Sequence, residues 1–222
     1  MSITLLFEKF KLKYPEKKVR QFIFTFYVVG IVGLSFPVTH IFFVHLIPFA
    51  LLLSAFILLP YQEDDFRRKT VVFFAAIFVV SFAVEAIGVN TGKIFGQYIY
   101  DNGLGVKCFG TPLIIGLNWA LLVYLSASIF QSFHINKFFL VLFPSLLMLL
   151  YDVILEQVAP KMQMWYWVTG NVPFQNYLIW FLLAFIFHSF LVLLGIKLKN
   201  PLSKTVFSAQ FLFFLVLMFI LK

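Results

Sequence analysis

With one cysteine, Cys108, in 222 residues, the chain has no partner for an internal disulfide and no thiolate cluster for a metal. Its four histidines, His40, His45, His134 and His188, are scattered without a metal-ligand spacing, so no metal site is expected. Gly88, Gly92, Gly96, Gly103 and Gly105 follow no phosphate-loop pattern and suit tight turns and close backbone approach instead. Charge is scarce throughout. Only 12% of residues are Asp, Glu, Lys or Arg against 62% hydrophobic, and the mean hydropathy is +0.99, which leaves too little polar surface to coat a soluble globule. The net charge of +8 would suggest nucleic acid if the basic residues formed one patch. They punctuate apolar runs instead, where they act as topology signals, and nucleic acid is not an expected partner.

What the chain has is seven apolar runs, each close to the roughly 20 residues an α-helix needs to cross a hydrocarbon core of about 30 Å. They cover approximately residues 19–37, 41–59, 71–88, 112–130, 137–156, 176–196 and 203–221. The expectation is an all-α integral membrane protein of about seven transmembrane helices, one polytopic domain over residues 1–222 with a basic segment at 1–18. The first two runs are joined so tightly, around Val38, Thr39 and His40, that they should form an antiparallel hairpin. The basic stretch from Lys9 to Arg20 leads into the first run with no small-residue cleavage site after it, which reads as a retained helix. Thirteen of the 17 Lys and Arg residues fall on the side of the N-terminus, leaving Lys93, Lys107, Lys161 and Lys222 opposite. That bias predicts a multi-pass protein of the inner (plasma) membrane, N-terminus cytoplasmic and C-terminus outside. The Glu63-Asp64-Asp65 run beside Arg67-Arg68-Lys69 then reads as a solvated cytoplasmic loop. The two long connections, 89–111 and 157–175, fall together on the outer face; long structured loops of this kind are commonly functional.

Three carboxylates, Glu85, Asp152 and Glu156, lie inside or at the ends of these runs without a neighbouring Lys or Arg. An uncompensated acid in hydrocarbon costs several kcal/mol on most scales, so such residues usually mark a site. Asp152 and Glu156 are four apart and share one helix face. The topology gathers Glu85, Asp152, Glu156, Asn118, Trp119, Asn176, Trp180 and His45 in the outer half of the bundle, while His188 falls at or past the midplane. Each has a plainer structural reading. Carboxylates can staple helices through hydrogen bonds, Trp165, Tyr166 and Trp167 can form an interfacial belt, and His45 and His188 can be packing groups. The 32 Phe residues are ordinary lipid-facing filler as readily as a polyene lining.

Two blocks of sequence carry a family resemblance. The first is Glu85-Ala-Ile-Gly-Val-Asn-Thr-Gly-Lys-Ile-Phe-Gly-Gln-Tyr-Ile-Tyr, continuing to Leu104-Gly105, Pro112 and Asn118-Trp119; the second is Asp152-Val-Ile-Leu-Glu156, Pro160, Trp165-Tyr-Trp167, Pro173, Asn176 and Trp180. In that order, over residues 71–180, they resemble the carotenoid biosynthesis proteins that include the carotenoid 1,2-hydratases of the CruF type. Gln157 stands where related sequences would carry Pro.

The resemblance implies addition of water across the terminal C1,C2 double bond of an acyclic carotenoid ψ end, giving a tertiary alcohol. Its substrate would be γ-carotene, lycopene or a related polyene. Water is the second substrate, membrane lipid and other carotenoid-pathway enzymes are the expected partners, and no cofactor is needed. An isolated alkene is a poor base, so the reaction calls for a carboxylic acid to protonate C2 and for water to capture the cation at C1. A carboxyl group held away from cations in hydrocarbon favours its neutral form, which makes Glu85 or Asp152 the expected acid, the other orienting the water, with Glu156 beside them. Tyr98, Tyr100, Trp119, Trp165 and Trp167 would line the substrate and stabilise positive charge, and Asn118, Asn176 and His45 would complete the site. The competing classes are a non-catalytic carotenoid-binding membrane protein and a small proton-coupled transporter. The transporter reading calls for repeat symmetry and broken helices, neither of them clear in this sequence.

Overall fold

The computed structural model describes residues 3–63 and 68–221. Asp64, Asp65 and Arg67 of the expected cytoplasmic loop, and Lys222, lie outside the described residues. The described residues form α1 (Ile3–Lys13), α2 (Glu16–Ser35), α3 (Pro37–His45), α4 (Ile47–Leu58), α5 (Arg68–Thr91), α6 (Ile114–Gln131), α7 (Phe139–Glu156), α8 (Phe174–Leu193) and α9 (Ser203–Ile220). Six of these, α2 and α5 to α9, are long and apolar enough to cross a membrane. The pair α3 and α4 is a seventh span if it counts as one.

That pair departs from the single straight helix expected over residues 41–59. The helix starts at Pro37, breaks at Leu46 and bends by 53° before running into a 3-10 turn at Leu59–Tyr61. Pro48 accounts for the break, because it offers no N–H to the Val44 carbonyl and its ring crowds that oxygen. The hairpin joint is also displaced. Val38, Thr39 and His40 are helical, and the turn is made at Phe36, held extended (φ −95°, ψ 126°) as the residue before Pro37. Thr39 Oγ1 donates to the Gly33 carbonyl and His40 Nδ1 to that of Leu34, both at 2.7 Å, so two of the orphan carbonyls of α2 are satisfied.

The outer faces of the long helices are apolar, and the polar and small residues within the spans sit on the buried stripes among larger apolar ones. On α5 the buried positions are Thr70, Phe73, Ile77, Ser81, Glu85 and Gly88, spaced three and four apart, while Val71, Val72, Val79, Val80 and Ile87 face outward. On α8 the stripe is Asn176, Trp180, Ala184, His188 and Leu191. Outer faces of this kind are compatible with a multi-pass membrane protein, in which small or hydrogen-bonded residues bring the helices together. α5 packs on α6, α6 on α7 and α7 on α8, with α9 closing against α2, α6 and α7. A glycine is required where α5 meets α6, since a Cβ on Gly116 would lie 2.6 Å from the Phe78 carbonyl oxygen. His188 pins three helices at one level: its Nδ1 faces the Ala184 carbonyl at 2.7 Å and Ser145 Oγ at 3.1 Å, and its Nε2 faces Ser126 Oγ at 3.0 Å.

The two long loops meet over one end of the bundle. β1 (Tyr98–Tyr100) from the first pairs antiparallel with β4 (Trp165–Trp167) from the second, in the register Tyr98 to Trp167 and Tyr100 to Trp165. A short hairpin of β2 (Lys107–Cys108) and β3 (Thr111–Pro112) follows β1. Beyond the ribbon, Asp101 N donates to the Met164 carbonyl at 2.9 Å and Gly103 N to that of Gln163 at 2.7 Å. Gly103 cannot be replaced easily, because a Cβ there would meet the Met162 and Gln163 oxygens at 2.5 and 2.6 Å.

Candidate functional site

The ribbon roofs a buried cage at the ends of α5 to α8. Strand alternation turns Tyr98 and Tyr100 of β1, and Trp165 and Trp167 of β4, inward, leaving Ile99 and Tyr166 on the outer surface. The inward rings pack in pairs, Tyr98 on Trp167 at 5.1 Å and Tyr100 on Trp165 at 5.9 Å between centroids. Trp119 of α6 and Trp180 of α8 stack at 4.0 Å on the side walls. Enclosed between them are all three carboxylates expected from the sequence.

Glu85 accepts three hydrogen bonds, from Tyr98 Oη at 2.5 Å and Tyr100 Oη at 2.9 Å on Oε2, and from Trp119 Nε1 at 3.1 Å on Oε1. Glu156 also accepts three: Trp165 Nε1 at 3.1 Å and Trp167 Nε1 at 2.8 Å share Oε2, and Asn176 Nδ2 reaches Oε1 at 3.2 Å. The same Asn176 amide donates to Asp152 Oδ2 at 3.1 Å, so one side chain of α8 bridges two acids of α7. Asp152 Oδ1 is buried with no partner. Among the described residues no Lys or Arg pairs with these acids; the ion pairs Arg20–Glu16 and Lys199–Glu63 lie elsewhere. Indoles, phenols and amides therefore replace cations as the counterparts of the acids. Burial, and next the charge of Glu85, push the Tyr98 and Tyr100 hydroxyls well above the usual phenol range, which keeps both as proton-bearing donors.

A cavity of about 20 Å³ remains inside, bordered by Glu85, Tyr98, Tyr100, Asn118, Glu156 and Asn176 among others. Room for one water needs about 10–15 Å³, so this space admits one water and no hydrocarbon end group. Asn118 faces it with an amide that makes no hydrogen bond to another described side chain, a free donor and acceptor beside the space. Asp152, at 0% exposure, lies behind Asn176 and does not border the cavity.

The structure thus brings together Glu85, Asp152, Glu156, Tyr98, Tyr100, Asn118, Trp119, Trp165, Trp167 and Asn176. It leaves out His45, which is exposed and turned back on its own helix, Nδ1 facing the Ile41 carbonyl at 2.7 Å. Sequence reasoning places Trp180 nearby without giving it a role, although it follows Asn176 by four residues and so shares its face. The phenol donors of Glu85 are expected only as aromatic surface, because the pairing of β1 with β4, which aims them, joins segments more than 60 residues apart.

A family model described as "Carotenoid biosynthesis protein" matches residues 23–222. The chain belongs to that family, and membership implies a role in carotenoid biosynthesis with a carotenoid substrate. No curated protein and no solved structure matches the chain.

Proposed function

We propose that this member of the carotenoid biosynthesis protein family is a hydratase that adds water across the terminal C1,C2 double bond of an acyclic carotenoid end group. The observation that carries the reading is the cage itself: three carboxyl groups with no Lys or Arg paired to them among the described residues, two of which, Glu85 and Glu156, border an aromatic-walled space for one water at the end of an apolar bundle. Asp152 is assigned as the acid. Its Oδ1 has no partner, whereas Glu85 and Glu156 already accept three donors each and so occupy the role of carboxylates. A carboxyl proton with no competing acceptor is what protonation of a weakly basic alkene requires.

In the proposed step the Asp152 proton adds to C2 and the alkene electron pair forms the new C–H bond, leaving a tertiary cation at C1. The π faces of Trp119, Trp165 and Trp167 stabilise that charge without trapping it, since they attract cations and are weak nucleophiles. Water held by Asn118 and Glu156 attacks C1, and its surplus proton passes to Glu156. Passage of that proton from Glu156 to Asp152, the two acids that Asn176 bridges, restores both groups, so one water is consumed and the protein's protons are unchanged in number. The present cage is closed to an end group, and turnover requires the ribbon or the Trp119–Trp180 pair to move and Asn176 to turn aside so that Asp152 reaches the alkene. The same reading sets the protein in the plasma membrane with its N-terminus cytoplasmic and the cage at the outer face, in reach of other enzymes of the pathway.

One observation favours carotenoid binding without turnover: an apolar cavity of about 440 Å³ lies away from the cage, with Tyr27, Phe43, Leu51 and Phe213 among its walls. Expression in hosts that make lycopene or γ-carotene separates the two. A pigment heavier by one water, with an unchanged visible spectrum because the hydrated bond lies outside the conjugated polyene, supports the hydratase. Unchanged pigments with both substrates, while carotenoid co-purifies with the protein, would replace it by the binding reading.

A further inference from the structure

The end of the bundle opposite the cage holds a second built site, independent of the hydratase reading. Here α6 and α8 end, α7 and α9 begin, and a basin of about 860 Å³ opens between them. Among the described residues, Arg20, Lys137, Lys197, Lys199 and Lys204 stand in its walls with one acid, Glu63, which pairs with Lys199 at 2.6 Å, while Arg20 pairs with Glu16 of its own helix at 3.3 Å. A bias of Lys and Arg to one side of a membrane protein explains why cations are here. It does not explain a concave, ordered arrangement of them.

The loop between α8 and α9, residues 194–202, which carries Lys197 and Lys199 and leads into Lys204 at the start of α9, is fixed from several directions. Gln131 Nε2 donates to the Ile196 carbonyl at 3.0 Å and its Oε1 accepts from Leu198 N at 2.7 Å. Asn200 Nδ2 reaches the Leu58 carbonyl at 2.8 Å, and Arg20 binds both Thr205 Oγ1 at 2.6 Å and the Pro201 carbonyl at 2.5 Å. Arg20 is therefore held in the wall as a fixed charge. Two buried serines of the same walls, Ser128 and Ser203, have hydroxyls with no partner. Ser203 opens α9, whose preceding residue, Leu202, has no side chain to cap it. Unpaired hydroxyls and an uncapped helix start are donors that an oxyanion satisfies. The basin also adjoins lipid-facing surface: Leu193 and Phe133 beside it are 79% and 49% exposed.

We infer that this basin binds a phosphate group, and that the phosphate belongs to an anionic phospholipid whose acyl chains lie along the apolar flank. Basic pockets between helix ends at a membrane surface suit such headgroups, each nearby Lys strengthening attraction by about fivefold. Arg20 and Ser203 hold the phosphate from the α9 side, and Lys137, Lys197 and Lys204 surround it.

Native mass spectrometry of the detergent-purified full chain tests this with phosphatidylglycerol, phosphatidylcholine and inorganic phosphate. Phosphatidylglycerol adducts are expected in preference to phosphatidylcholine. The K137Q/K197Q/K204Q variant, all three at exposed positions, should weaken them on the order of a hundredfold. Equal binding of the two lipids, or unchanged binding by the variant, overturns the site. Retention of inorganic phosphate without preference for phosphatidylglycerol overturns the lipid as its source. Should the triple variant misfold, K137Q alone should cut phosphatidylglycerol binding about fivefold, and an unchanged affinity there is equally fatal.

Discussion

The two ends of the bundle handle charge in opposite ways. At one end three acids are sealed from solvent with no Lys or Arg paired to them among the described residues, and aromatic N–H and O–H groups and the Asn176 amide supply their hydrogen bonds. At the other, five cations among the described residues line an open basin with one acid, Glu63. Solvated lysines at a membrane surface need no partner, because water and headgroups screen them. Buried acids do need partners, and giving them neutral donors instead of Lys or Arg avoids an ion pair whose desolvation could exceed its attraction. It also leaves the acids free to exchange protons. The contrast argues that the cage is built for chemistry and the basin for attachment, and the following experiments are arranged to break that division.

The largest expected effect is on Asp152. Asp152→Asn keeps the shape and the contact with Asn176 but removes the transferable proton, and product formation should fall by about 10²–10⁴-fold, the usual worth of a general acid. Pigment chromatography with mass spectrometry, normalised to protein in the membrane, measures it. Hydration at near wild-type rate in a folded variant would return Asp152 to the role of a helix staple.

Glu85 should show a structural cost as well as a functional one. Glu85→Leu strands the Tyr98, Tyr100 and Trp119 donors in a dry site, and about 1–3 kcal/mol for each of the three unmet groups gives a loss on the order of 3–9 kcal/mol. Glu85→Gln still offers a carbonyl oxygen, so its loss should be less than half as great. Thermal unfolding in detergent compares the two; equal and small effects would show that the roof does not depend on Glu85.

The raised Tyr98 and Tyr100 hydroxyls give a pH signature of intermediate size. A group whose folded pKa lies above its unfolded value contributes stability that is complete below the unfolded value, about 10 for tyrosine, and is lost as pH rises beyond it. Stability should therefore decline above pH of about 10 in the wild type. It should decline less steeply in the Tyr98→Phe/Tyr100→Phe variant, which has less to lose there. The double variant should also be about 1–3 kcal/mol less stable at neutral pH, through two lost bonds to Glu85. Parallel pH profiles for the two proteins would mean that these phenols are solvated.

How far the sequence alone reached is clearest along α5 and α7. Glu85, Asp152 and Glu156 stand out because an acid in an apolar run is rare, and helical spacing sets their common face without any knowledge of packing. The span count follows from hydropathy for the same reason. The bend at Leu46 escapes a hydropathy reading because Pro48 lies well inside the apolar run 41–59, where hydropathy is blind to a missing N–H. The donors to Glu85 were out of reach for another reason. A three-residue strand such as Tyr98–Tyr100 carries too short an alternation to reveal its partner, and only pairing with Trp165–Trp167 decides which rings face the acids.

His45 provides the smallest effect and the sharpest check on where the cage ends. Proximity in the expected topology assigned it to the substrate, yet its ring folds back to Ile41 on an exposed face of α3, outside the roof formed by β1 and β4. Replacing it with Ala removes one exposed side chain-to-backbone bond and touches none of the acids. Stability should change by no more than about 0.5 kcal/mol, as is usual for surface substitutions, and hydration should continue at the wild-type rate. A large fall in product with unchanged stability would mean that the substrate passes over α3 on its way to the carboxylates. In that case the boundary of the functional site would extend beyond the residues that the ribbon encloses, and the bend at Leu46 would belong to the path of the polyene.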